Sequence, residues 1–309
     1  SSGQRISLPA EAYFSAAEQL LREARTIFEE LRQVERLVEV NLEMGSLYRD
    51  RLDPHLSLGG RPPIRTRAGR SAYSDALTLL DTAEQRATEH NLVQHVLDAR
   101  VNKARTHYYV GDIAAAKSVL DAIEADATYQ HHLIKPERTL PDSADDTLRD
   151  RSWIFRHLGT AQWIRGWMAL DQFQICVEYH RTQHPADTPA DRQARAEAVR
   201  NDPKAQTSLR EAASVYALGI AYAQLHSPRS RAITTMQNDL YFRFRASNRL
   251  ELESLQGYLR EVNDTYRACA LESVPMLLKF LNEFFGLSEP NAEPASAAQP
   301  ANEGKHDRL

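Results

Sequence analysis

Cysteine, glycine and long apolar runs are all scarce in this chain, and each shortage excludes something. Two cysteines, Cys176 and Cys269, in 309 residues are too few for a disulfide framework and fit a reducing compartment. Only 12 glycines and no alternating apolar–polar segments leave little material for strands and hairpins. No apolar run approaches the roughly 18–20 residues of a membrane helix, and the first residues carry no charged-then-apolar leader. A net charge of −4 points to neither nucleic acid nor an anionic membrane. Sequence signatures of chemistry are missing too. There is no GxxxxGK[ST] or GxGxxG for a nucleotide, no GxSxG for a serine nucleophile and no HExxH for zinc. What is present is Ala, Leu, Glu and Arg. With 42% hydrophobic and 26% charged residues, the composition predicts an all-α, cytoplasmic protein with a buried core.

Residues 96–123, VLDARVNKARTHYYVGDIAAAKSVLDAI, read as two helices back to back. The first carries small Ala104, then His107 and Tyr108. Gly111-Asp112 breaks it, because Gly enters the left-handed region that ends a helix and Asp caps the next one. Ala116, Leu120 and Ile123 then recur at helical spacing. The same small–large–small stripe appears at Ala17, Leu21 and Ala24, and at Ala76, Leu80 and Ala83. Helices are expected over 10–28, 34–51, 74–90, 92–110, 150–180 and 204–226. Capping signals at Ser227-Pro228, at Asn248 with Glu251, and at Ser273 predict three more, ending near Leu287.

This helix–turn–helix resembles the tetratricopeptide repeat family, and Gly45 with Tyr48 is similar to that family's first-helix signature. From Ala24 to Gly45 is 21 residues, and from Ala83 to Ala104 is again 21. The standard repeat gives about 15, so the period is about 40. That resembles the long variety of these repeats, as in kinesin light chains and the sensor arrays of bacterial signal-transduction ATPases. The resemblance implies a right-handed α-solenoid over 10–226, closed by a helical cap over 227–287. Loop insertions are expected at 52–73, 124–150 and about 184–203, and disorder at 1–9 and 288–309. Ser1-Ser2-Gly3 resembles a tag. The first helix reads as the second half of a repeat, so a chain cut from a longer one, or starting inside its own array, is expected.

Candidate chemistry is sparse. His180 and His184 are four apart, a metal spacing on a helix, but no Glu or Cys joins them. They are read as solvated surface histidines, as are adjacent His131 and His132, and no metal centre or catalytic residue is expected. Cys176 and Cys269 sit on apolar faces and read as core. Arg51, Arg61, Arg65, Arg67 and Arg70 against one acid, Asp53, make 51–70 a basic loop. It is read as solvated rather than as a nucleic-acid contact, because no aromatics interleave.

In the resembling family the first helices line a concave groove. The positions one and four past the Gly/Ala site point inward. This implies Ser46 and Arg49, then Arg105 and Tyr108, then Thr160 and Trp163, with Arg156 one turn earlier. Arg49, Arg105, Tyr108, Arg156 and Trp163 are therefore the expected partner-binding residues. Inter-repeat packing for Trp163, and salt bridges for Arg105 and Arg156, are the alternatives. The family's clamp for chaperone tails wants Asn and Lys where this chain has Ser, Arg and Thr, so that motif is not implied. What is implied is a non-catalytic scaffold, without cofactor or membrane, that binds a peptide or protein segment. The alternative is a sensor or regulatory part of a larger bacterial signalling ATPase or protease-linked defence protein.

Overall fold

A computed structural model of the chain describes residues 10–52, 67–130, 132–133, 152–185 and 188–226. Among these, every regular element is a helix. They are α1 (Ala10–Glu30), α2 (Val34–Asp50), α3 (Arg67–Glu89), α4 (Val93–Tyr109), α5 (Ile113–Ala125), the single turn α6 (Ala127–Gln130), α7 (Ser152–Gln183), α8 (Pro189–Asn201) and α9 (Pro203–His226). The fold is all-α. Among the described residues no helix is long and apolar enough to cross a membrane.

The expected helices are present with shifted ends. Helix α3 begins at Arg67, so the last residues of the 52–73 insertion are helical rather than loop. The 124–150 insertion opens with the end of α5 and the turn α6. The stretch 184–203 holds a helix of 13 residues, α8, capped by Thr188, whose side chain accepts from the Asp191 N–H. The expected 227–287 cap, Cys269, both termini, most of the Arg-rich loop and most of the rest of the 124–150 insertion lie outside the described residues.

Three turns share one backbone device. Arg32, Asn91 and Gly111 have φ of 54°, 55° and 84°. In each case the next residue's N–H reaches back to the helix just ended. Gln33 donates to the Phe28 carbonyl at 3.0 Å, Leu92 to Ala87 at 2.8 Å and Asp112 to His107 at 3.0 Å. These bonds satisfy carbonyls that the helix end leaves open. Only Gly111 announces its turn in sequence. Arg32 stands eight residues after Ala24, and Asn91 eight after Ala83, so the two equal gaps contain the same turn at the same place.

Helix α2 packs on α1, α3 and α4. Helix α4 packs on α2, α3, α5 and α7, and α7 on α4, α5, α8 and α9. Thus α2, α4 and α7 are neighbours in that order. Helix α3 touches both α2 and α4, and α5 touches both α4 and α7. The small–large–small stripes do the packing. Ala76, Leu80 and Ala83 are fully buried, as are Ala116 and Ile123, with Leu120 only 1% exposed. Burying such a Leu is worth about 1.5–3 kcal/mol.

Close approach needs glycine at particular sites. A Cβ on Gly45 would stand 2.8 Å from the Leu80 Cγ, so α2 and α3 meet through that position. Gly159 faces the Gly219 carbonyl and Tyr222 of α9. The partner of Leu158-Gly159 is therefore α9, where Ala212, Tyr216, Gly219 and Ala223 are all buried. Ala169, Phe173 and Cys176 form a stripe of the same spacing within α7. Ala169 and Phe173 are buried, and Cys176 is half-buried against the same core.

A Cβ on Gly166 would lie 2.4 Å from the Tyr216 ring, which is fully buried. Gly166→Ala gains about 1 kcal/mol of helix propensity but forces that ring to shift, an overpacking cost of about 1–3 kcal/mol. We expect a net lower melting temperature. An unchanged or higher one would show that the α7–α9 seam has slack.

Candidate functional site

A cavity of about 560 Å³ lies where α2, α4 and α7 run side by side, with α9 closing one end. Leu42, Ser46 and Arg49 come from α2, and Asp98, Asn102 and Arg105 from α4. Arg156, His157, Thr160 and Trp163 come from α7, and His226 from α9. On α2 and α4 these residues are three or four apart and form one stripe each, and on α7 the adjacent Arg156 and His157 precede Thr160 and Trp163 by one and two turns. Of the residues expected to point inward, Ser46, Arg49, Arg105, Arg156, Thr160 and Trp163 all line this cavity.

Tyr108 does not. Its ring stacks on Trp167 at 5.3 Å and its hydroxyl donates to Asp171 Oδ2 at 2.6 Å. It is buried in the seam between α4 and α7, three residues further round the helix than Arg105.

The floor is a polar relay that crosses three helices. Arg49, 7% exposed, gives Nε and Nη2 to Asp50 Oδ1 at 2.9 and 2.6 Å. Its Nη1 donates to Asn102 Oδ1 and, at 3.4 Å, to Ser46 Oγ. Asn102 Nδ2 then donates to Asp98 Oδ1 at 2.8 Å. Asp98 Oδ1 in turn faces His157 Nδ1 at 3.5 Å. Arg49 is thus spent on its own chain. Its work is to join α2 to α4, and it holds the carboxylates and amide in place.

The other two arginines differ. The Arg105 guanidinium lies 5.1 Å from the Tyr109 ring centre and 5.3 Å from that of Trp167. Its Nε donates to the Tyr109 hydroxyl at 2.6 Å. Stacking on aromatic faces is favourable and holds this cation against the wall. Trp163, half-buried, packs on Trp167 at 5.0 Å while still lining the cavity, so packing and groove lining are both realised. Arg156 is exposed, and no ion pair or hydrogen bond engages its guanidinium among the described residues. It is the cation the groove leaves available.

Burial holds the His157 ring below its ordinary pKa, and Arg156, His226 and His95 add to the effect while Asp98 opposes it. The ring is therefore neutral at neutral pH. His157, Asp98 and Asn102 escaped the sequence reading. Asp98, Asn102 and Arg105 stand at i, i+4 and i+7, so carrying the stripe two turns back along α4 from Arg105 would have found Asn102 and Asp98.

No family model, curated protein or solved structure matches this chain.

One of the two spaced histidines behaves otherwise than expected. His180, with its side chain only 15% exposed, faces Asp202 Oδ2 at 3.0 Å. Asp202 also accepts from the Lys204 N–H at 2.8 Å and so caps the start of α9. Burial raises the Asp202 pKa, but the bonds from His180 and the two backbone amides outweigh it and leave it lowered. His180 is a tie between α7 and α9 rather than a solvated surface residue.

The buried histidines set a pH dependence. Burial lowers the pKa of both His157 and His107 below the ordinary value of about 6.5. Around and below that pH the unfolded chain binds more protons than the folded one, so stability falls as pH falls. We expect the urea midpoint to drop between pH 7.5 and 5.5, and to drop less in His157→Gln. A flat profile would mean that burial does not hold the ring neutral.

Proposed function

We propose that the chain is a non-catalytic interaction scaffold of the tetratricopeptide type, an α-solenoid that binds a peptide or protein segment in the groove between α2, α4 and α7. The observation that carries this reading is the convergence of equivalent positions from three successive inner helices on one cavity. The 21-residue gaps, each with a left-handed turn at the same offset, support the repeat reading. The groove offers hydrogen-bonding groups held by the Arg49–Asn102–Asp98 relay, an aromatic wall at Trp163 and an available cation at Arg156. Rigid, preordered side chains cost little entropy on binding.

Arg156 is the residue to test, because it is exposed and its reversal leaves the core intact. Reversing Arg105 would instead place a carboxylate against Tyr109 and Trp167 and unfold the seam. Peptides selected from a displayed library on the immobilised protein should lose roughly tenfold or more in affinity with Arg156→Glu, with circular dichroism unchanged. Unchanged affinity across the selected set would refute the groove assignment.

A second reading is favoured by one surface. Tyr13, Leu20, Ile27 and Leu31, spaced by seven and four along and just past α1, are 52–65% exposed. Among the described residues α1 packs mainly on α2. Such an apolar stripe suits a further helix of a larger assembly, consistent with a regulatory part of a signalling protein. In that case Leu20→Lys leaves the melting temperature of the isolated chain unchanged. A clear drop would show that the chain itself covers the stripe.

A further inference from the structure

The starts of α2 and α4 lie side by side at one end of the groove. There Glu35, Glu39 and His95 each bring one donor atom within 4.8 Å of the others. His95 is the unusual member. Its side chain is only 8% exposed, and Nε2 stands 3.8 Å from Glu39 Oε1, too far for a hydrogen bond. Its other nitrogen, Nδ1, is buried with no partner. The side chain is thus nine-tenths buried with no hydrogen bond on either nitrogen among the described residues, and it is Nε2 that faces the Glu39 carboxylate.

A cation between Nε2 and the carboxylates gives that nitrogen the partner it lacks, while Nδ1 carries the ring's proton. Tetrahedral ligands about 2.0–2.2 Å from a zinc ion are separated from one another by roughly 3.3 Å, close to the gap between Nε2 and Oε1. One imidazole and two carboxylates are donors that suit a borderline divalent ion. Glu35 and Glu39, one turn apart on α2, bring two negative charges to it. The second oxygen of Glu39 is held by Arg36 Nη1 at 2.6 Å, which leaves Oε1 to His95, as carboxylates that ligate metals are commonly oriented from behind.

We propose that Glu35, Glu39 and His95 bind a divalent transition-metal cation that bridges α2 to α4. The next turns of the same two helices carry Glu43 and Asp98, which line the groove. Metal binding therefore clamps the first two inner helices together at the groove's end. The proposal does not depend on what the groove binds.

The test uses the full chain, stripped with a chelator and titrated with Zn²⁺ by calorimetry. One equivalent is expected to bind, and Zn²⁺ at a hundred times its dissociation constant should raise the melting temperature by roughly 5 °C. Glu35→Gln, at an exposed position that leaves the core untouched, should weaken binding at least tenfold without loss of helicity. His95→Gln should abolish it, and His184→Gln should leave it unchanged. Absence of stoichiometric binding by the wild-type chain would overturn the proposal. So would binding that Glu35→Gln leaves intact, which would place the ion elsewhere.

Discussion

Helix α4 is buried on two opposite sides, and the arrangement of the described residues follows from that constraint. Leu97, Val101, Ala104 and Tyr108 belong to one apolar core, shared with α5, α7 and α9. Val96 and Ala99 belong to another, shared with α2 and α3 through Val38, Leu42, Leu80, Ala83 and Ala87. Two polar stripes remain between these faces. Asp98, Asn102 and Arg105 form the first, and they become the centre of the groove. Arg100 and Lys103 form the second, turned the other way. A helix loaded on two faces cannot show a single amphipathic face, so its four stripes become distinct only when its neighbours are in place.

The second stripe is a counterweight to the groove. Arg100 bonds Glu84 at 2.7 Å and Asp126 at 2.6 Å, while Lys103 bonds Asp81 at 2.6 Å and Glu84 at 3.0 Å. Burial alone would raise the Glu84 carboxyl, yet bonds from Arg100 and Lys103 outweigh it and leave its pKa lowered. These pairs join α3, α4 and the segment after α5 by charge, where the groove side joins α2, α4 and α7 by the Arg49 relay. Half-buried pairs of this kind contribute modestly to stability. Their larger effect is to fix how α4 is rotated, and that rotation decides which side chains the groove receives.

Three arginines on α2, α4 and α7 thus have three different tasks. Arg49 is a strut, bonded to Asp50, Ser46 and Asn102. Arg105 is laid flat on Tyr109 and Trp167. Arg156 is exposed to whatever enters. Their sequence contexts do not distinguish them, because the partner that engages each cation lies on the tertiary surface around it. The same holds for Tyr108 and Trp163. They are aromatic residues of α4 and α7, yet the first is engaged by Asp171 and Trp167 and the second still reaches the cavity.

Local, periodic features were legible in the chain alone. Helices with small–large–small stripes, the Gly111-Asp112 turn, and the equal gaps from Ala24 to Gly45 and from Ala83 to Ala104 all depend on contacts a few residues apart. The extent of the long helix α7 was legible in the same way. The inner positions from Ser46 to Trp163, in contrast, came only from the family resemblance. The turns at Arg32 and Asn91 were hidden, since neither residue is a glycine and the packing of the helices holds each in the left-handed region. What only the tertiary structure decided are meetings between distant residues. These are Asp98 with His157, Gly166 with Tyr216, and Glu35 with His95, which stand 60 positions apart. Sequence periodicity fixes the face of a helix on which a side chain stands. The rotation and offset of one helix against the next depend on how whole cores fill, and these set whether two polar groups on facing stripes arrive within a bond's length.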